Sequence, residues 1–177
     1  MNDAQRDLQH ERQQRGDDFQ NEIRKSWRLV NNCWRMTIES GKGTGRGSGT
    51  RPADAITLLK DVNILTELKR TAGNEFKLSM LRPGQLKGLM DFDAVIPRNF
   101  GLVFISFLNE AKGIDEAYSF RIKDGLDFMR KAGRWHIKRE EIPDMYSVFG
   151  LPLPRLPGDD ERLYDLEGVN YYYSNYA

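Results

Sequence analysis

The sequence predicts an α/β protein in which a few strands are flanked by amphipathic helices, with a flexible glycine-rich insert and an extended C-terminal arm. Three observations carry that expectation. Gly101–Leu108 is the most apolar run in the chain and suits a central strand buried on both faces. Asp54–Lys69 divides into two short apolar strands, Ala55–Leu59 and Val62–Leu68, around a polar Lys60-Asp61 turn, the pattern of an antiparallel hairpin. Apolar residues at helical spacing stand on either side of that hairpin, Phe19, Ile23, Trp27 and Val30 before it, and Leu86, Leu89 and Met90 after it.

The first fourteen residues hold almost no apolar side chains and suit a frayed helix or a flexible segment. Asp17 is a reasonable N-cap, and a helix is expected over about residues 17–31. Trp34–Ile38 reads as a short strand. Residues 40–51 alternate glycine with Lys42, Thr44, Arg46 and Ser48, a basic loop with little to pack. Gly41-Lys42-Gly43-Thr44 lacks the spacing of a P-loop. Arg70–Lys77 suits a polar loop, and Pro83 the first turn of a helix that ends near Asp93. Beyond the central strand, Glu110–Glu116 suggests a turn and Ala117–Ile122 a strand. Asp124 is positioned to cap a short helix that Gly133 stops, and Trp135–Ile142 reads as an edge segment. His136, with no titratable partner evident near it, suits a structural role. From Pro143 onward, Pro152, Pro154 and Pro157 oppose regular structure, and the Tyr171–Tyr176 tail is expected to pack on the body or a second subunit. The organisation is a flexible segment 1–14, a catalytic body 15–143 and a Pro/Tyr-rich acidic arm 144–177.

Composition narrows the function. With 177 residues, 30% of them charged and 39% hydrophobic, the chain is long enough for a real core. No run approaches the ~20 apolar residues of a membrane span, and the polar N-terminus lacks a secretion signal, so a cytoplasmic protein is expected, with no membrane partner. A single cysteine, Cys33, excludes an internal disulfide, and no Cys/His cluster suggests zinc. Net charge is only +1, but its distribution is uneven. Basic residues predominate between Arg12 and Lys87, whereas acidic ones predominate after Pro154, a pattern compatible with binding a polyanion.

Chemistry concentrates at the hairpin. Asp54 opens its first strand, and Glu67 and Lys69, two apart in the second, share a face. An antiparallel pairing returns Asp54 to the neighbourhood of Glu67. Two carboxylates and an ammonium at a strand end suit a divalent metal and an activated water. An ammonium beside two carboxylates should stay charged, which favours Lys69 as an electrostatic stabiliser.

The order helix, strand, loop, Asp-bearing strand, Glu-x-Lys strand, helix, buried strand resembles the restriction-endonuclease-like nucleases with a Pro-Asp…(Asp/Glu)-x-Lys motif. Here that motif is Arg51-Pro52-Ala53-Asp54 and, thirteen residues after Asp54, Glu67-Leu68-Lys69. Within that superfamily the chain most resembles the RecU-type Holliday-junction resolvases, through Arg15-Gly16-x-x-Phe19, the Asp-to-Glu spacing, Gln85 early in the next helix, and Ile137–Ile142. The resemblance spans about residues 15–143. It implies a mixed central sheet flanked by helices, and a dimeric endonuclease that resolves four-way DNA junctions. Asp54, Glu67 and the carbonyl of Leu68 would hold Mg²⁺, with Mn²⁺ as a substitute and no small-molecule cofactor. Lys69 would act on the attacking water, and Gln85 would place water or phosphate. Arg15, Lys42, Arg46, Arg51, Arg70, Lys77 and Arg82 are the cations expected to meet DNA. Two departures stand out: Gln20 occupies the position where family members usually carry a helix glutamate, with Glu22 on roughly the opposite helix face, and the insert is shorter and richer in glycine than the family's stalk.

Overall fold

The computed structural model describes residues 3–38, 51–144, 150–158 and 162–175. Lys42 and Arg46 of the glycine-rich insert lie outside them. The fold is α/β, built on a mixed six-stranded sheet whose order is β1-β2-β3-β5-β6-β8: Trp34–Thr37, Ala55–Leu58, Asn63–Thr71, Asn99–Asn109, Ile114–Arg121 and Gly150–Pro152. Only β3 and β5 run parallel; every other neighbouring pair is antiparallel. The crossover between β3 and β5 contains the short strand β4 (Glu75–Lys77), a 3₁₀ turn and helix α2 (Pro83–Val95). β5 is the central strand: all its residues but Asn109 are buried, including Phe104 and Phe107, as its unbroken apolar run predicts.

Alternation along the strands divides the core into two layers. Ile64, Leu68, Leu102 and Phe104 face helix α1 (Asp3–Trp27) with its Phe19, Ile23 and Trp27. Leu65, Val103 and Ile105 face the other way, among Leu89 of α2 and Met129 of α3 (Ile122–Lys131). On this second side β7 (His136–Lys138) pairs with β4 as a small separate sheet, followed by the single turn α4 (Glu141–Asp144). α2 lies unusually close to the strands. A Cβ on Gly88 would sit 2.6 Å from the Cβ of Pro52, and one on Gly101 only 2.3 Å from the carbonyl oxygen of Leu89. Side chains at either position would push the helix off the segment that carries Asp54.

Several expectations are corrected. Helix α1 begins at Asp3 and runs unbroken through Asp17, so residues 3–14 are helical and Asp17 is no cap. One turn after another is sustained there by polar side chains of good helix propensity, such as Gln13 and Gln14, with little apolar content to reveal it. β3 extends to Thr71 and β4 follows, where a loop is expected over 70–77. β6 begins at Ile114, inside the expected turn, and α3 begins at Ile122, so Asp124 lies within its first turn and Arg121 is the capping position. Gly133 ends α3 with φ of 64°, as expected.

The C-terminal segment is more than an extended arm. β8 completes the sheet beside β6, an isolated bridge joins Arg155 to Tyr164, and Glu167–Ser174 forms helix α5. Tyr164, Leu166, Val169 and Tyr173 are each about 1% exposed within the α1 layer. The helical spacing of 166, 169 and 173 overrides the prolines upstream. Of the aromatic tail, Tyr173 packs on the domain while Tyr171 stays exposed.

Candidate active site at the open edge of β3

β2 pairs with β3 only as far as Thr66, and β3 continues five residues further without a strand on that side. The bare edge forms one wall of a cleft of about 620 Å³. Gln13, Gly16, Asp17 and Gln20 of α1 line it, with Arg51, Asp54, Glu67, Leu68, Lys69, Arg70, Arg82 and Gln85. Every residue expected to act catalytically therefore meets in one place: Asp54, Glu67, Lys69, Gln85 and Gln20, together with Leu68.

Asp54 is pinned from both sides. Its carbonyl accepts the Ile38 N–H at 2.8 Å, and its own N–H donates to Thr66 O at 3.0 Å. Its carboxylate Oδ2 accepts the Leu68 N–H at 2.7 Å, bridging the gap where strand pairing stops. In a strand, the N–H and C=O of one residue point to the same edge, so the Leu68 carbonyl faces the cleft side as well. Asp54 Oδ1 is held by the Arg51 guanidinium, three residues earlier.

Glu67 and Lys69 project together toward α2. Lys69 Nζ donates to Glu67 Oε1 at 2.6 Å, and Gln85 Nε2 donates to the same oxygen at 2.5 Å. Gln85 is itself fixed, because its Oε1 accepts the Arg82 N–H at 2.9 Å in the first turn of α2. Glu67 is 1% exposed, yet its Oε2 is buried without a hydrogen-bond partner among the described residues. Leaving a carboxylate oxygen bare inside a protein is costly, so that lone pair is set for a ligand. Burial pushes the Glu67 carboxyl above its ordinary range, and Lys69 pulls in the opposite direction without cancelling the rise.

The donors suit a small hard cation. Asp54 and Glu67 supply carboxylate oxygens, and the Leu68 carbonyl faces the same cleft; Mg²⁺ takes few carboxylates and keeps water on its remaining positions. No third acidic ligand joins them: among the described residues there is no group of three or more His, Cys, Asp or Glu side chains placed to hold a metal. Arg51 stands in competition, since a cation on Asp54 must share or displace its guanidinium.

A pH test follows from the Glu67 environment. A carboxyl whose folded-state pKa is raised contributes stability that is present below its unfolded value and lost as pH rises through the folded value. Without metal, wild type is therefore expected to lose stability relative to Glu67→Gln as pH rises above about 4.3, measured by urea unfolding in EDTA. Added Mg²⁺ at pH 7 should restore wild type and leave the glutamine variant unmoved. A stability difference that stays flat with pH would show that Glu67 carries no buried charge.

The remaining expected cations separate into three groups. Arg51 and Arg82 line the cleft itself. Arg15 and Lys77 line an adjoining groove of about 820 Å³, with Thr71, Asn74 and Met80, and Arg70 belongs to both linings. Arg70, one of the cations expected to meet DNA, is engaged within the protein. Its side chain is 1% exposed and its guanidinium makes a bidentate pair with Glu22, from which Nη1 donates at 3.1 Å. It also donates to Ser106 Oγ at 3.1 Å and stacks 4.9 Å from the Phe19 ring centroid. On α1, Gln20 lines the cleft, whereas Glu22 is paired with Arg70. Asp17, taken from sequence as a cap, also lines the cleft one turn before Gln20; the i, i+3 spacing was the available signal. His136 has a partner the sequence did not reveal, Glu75 across the β4–β7 pair, with Nε2 3.6 Å from Oε2. Among the described residues no helix is long and apolar enough to cross a membrane. In comparisons with known proteins, no family model matches the chain and no curated protein matches it.

Proposed function

We propose that the chain is a Mg²⁺-dependent, structure-selective DNA endonuclease of the restriction-endonuclease-like fold, resolving four-way (Holliday) junctions as a homodimer. The observation that carries this reading is the buried Glu67 Oε2 without a partner, beside Asp54, Lys69 and the Leu68 carbonyl at an open strand edge. In it, Asp54 and Glu67 would hold the ion with the Leu68 carbonyl. Bound Mg²⁺ supplies an acidified water and positive charge near the phosphate. Gln85 fixes the Glu67 carboxylate in the orientation that leaves Oε2 free. Lys69, a fifth exposed along its side chain, places an ammonium where charge grows as water attacks phosphorus. Arg51, paired with Asp54, would be available to a phosphate if a cation took its place on that carboxylate, and Arg82 lines the same cleft. A twofold dimer presents two such sites in the symmetry that paired cuts across a junction require.

A second reading keeps the fold and the DNA contact but not the chemistry. The neutral Gln20 on α1 and the Arg51–Asp54 pair favour it, because both lower the site's negative charge and hence its pull on a cation. The discriminating experiment incubates wild type with a mobile four-way junction and with linear duplex of the same sequence, in Mg²⁺ and in Mn²⁺. Symmetric cuts in the junction alone are the expected result. Equal cutting of both substrates would leave a general nuclease of repair, replication or restriction, and junction binding without cutting in either metal would leave a DNA-binding module.

A further inference from the structure

The α1 stripe that lines the cleft does not stop at Gln20. Arg24 follows at the i+4 position, about 6 Å further along the axis, and Arg28 stands in the turn just past the end of α1 at Trp27. There they meet Arg35 of β1 around a second cavity of about 210 Å³, closed by Trp27, Cys33 and Thr37. Among the described residues no acidic one lines it; the Glu167 carboxylate of α5 acts on Cys33 and accepts the Asn31 N–H at 3.3 Å. Arg35 donates to Thr37 Oγ1 at 3.2 Å and Arg24 to Asn21 Oδ1 at 3.1 Å, both neutral acceptors. Burial, with Arg24 nearby, pulls the Arg35 guanidinium down to about 10, a large displacement for a group that is ordinarily always charged. The indole N–H of Trp27, in the same wall, is buried with no acceptor in the protein. With no carboxylate among the described residues of the lining, the three guanidinium groups repel one another and favour an anion.

We infer that Arg24, Arg28 and Arg35 form a phosphate-binding subsite that takes the DNA strand flanking the cleft. It deepens the nuclease reading and rests on it for the identity of the strand, while the anion site itself stands on the cavity and its arginines. Guanidinium forks match phosphate oxygens bidentately. The distance of about 6 Å along α1 from Gln20 to Arg24 corresponds to roughly two nucleotide steps of ~3.4 Å each. The subsite thus holds the strand at a second point and sets where along it the cleft engages.

The test uses the full chain in EDTA, with Arg24→Gln/Arg35→Gln as the variant and Arg130→Gln, on the exposed face of α3, as control. Removing unbalanced charge should leave the variant's melting temperature equal to or above that of wild type, so loss of folding does not obscure the result. Anisotropy titrations of a labelled junction across a salt series should show about a tenfold weaker Kd and a log K against log salt slope smaller by about 1 to 2. Inorganic phosphate, against chloride at equal ionic strength, should raise the melting temperature of wild type and not of the variant. Both effects together place a DNA phosphate in the subsite; the phosphate effect alone keeps the oxyanion site and assigns it to a free phosphate group. Unchanged affinity, slope and phosphate response, or an equal loss in Arg130→Gln, overturns the inference. Cleavage in Mg²⁺ is scored separately: a wild type that binds through these arginines yet never cuts sinks the nuclease reading alone, and one that cuts while the variant binds normally sinks the subsite alone.

Discussion

Asp54→Asn and Lys69→Ala are each expected to slow junction cleavage in Mg²⁺ by about 10³-fold, with junction affinity in Ca²⁺ held within a few-fold of wild type. The asparagine keeps the shape of Asp54 and an oxygen to accept the Leu68 N–H, so the strand edge survives. What it loses is the negative charge that recruits a cation in competition with Arg51. The alanine at 69 leaves Glu67 tethered by Gln85 and removes only the ammonium near the reacting phosphate. Because both changes act on the chemical step, single-turnover rates at saturating enzyme are the measurement, and anisotropy gives affinity independently. Wild-type rates in both variants would show that the chemistry lies elsewhere. An equal fall in affinity and rate would mean that these residues bind DNA and do not catalyse.

The core of this site was legible because its signals are local. Strand periodicity places Glu67 and Lys69 on one face, and a two-residue polar turn between apolar runs returns Asp54 to their side. The buried run at 101–108 needed no partner to be recognised, and the helix opening at Pro83 followed from proline's fixed φ. What failed was long-range or masked by composition. The first turns of α1 are polar all round, and a polar helix and a flexible segment look alike until something packs on one of them. In the C-terminal segment three prolines outweighed the 166, 169, 173 spacing, although Tyr164 and Tyr173 are among the largest fully buried side chains. Charges were the least legible of all. A sequence reports that Arg51, Arg70 and Arg82 are basic; it does not report that Arg51 faces Asp54, that Arg82 stays on the cleft wall, or that Arg70 is withdrawn from solvent.

Arg70 shows how much turns on that last distinction. Were it a phosphate contact, Arg70→Ala would weaken DNA binding and leave the fold intact. The structure predicts the reverse emphasis, a loss of stability of about 3 kcal/mol, from the cost of leaving one partner of a buried pair alone. Glu22 would keep only Arg155, whose Nη1 lies 3.5 Å away, and the Tyr164 hydroxyl, which donates to it at 3.3 Å. The alanine also removes the guanidinium stacked on Phe19, deepening the loss beyond charge alone. The loss falls at the lower end of the range for broken buried pairs because Glu22 keeps 13% of its side chain exposed and retains those two neighbours. Glu22→Gln should cost less, since the amide can still accept a hydrogen bond from Arg70. The consequence reaches the site, for Arg70 follows Lys69 in β3 and Glu22 is two residues from Gln20 in α1. This ion pair fixes the helix that forms one wall of the cleft against the strand that forms the other. Urea midpoints for the two variants, taken beside junction affinity under conditions where both remain folded, decide the matter. A folded Arg70→Ala protein with wild-type stability and a tenfold weaker Kd would return Arg70 to the DNA-binding surface.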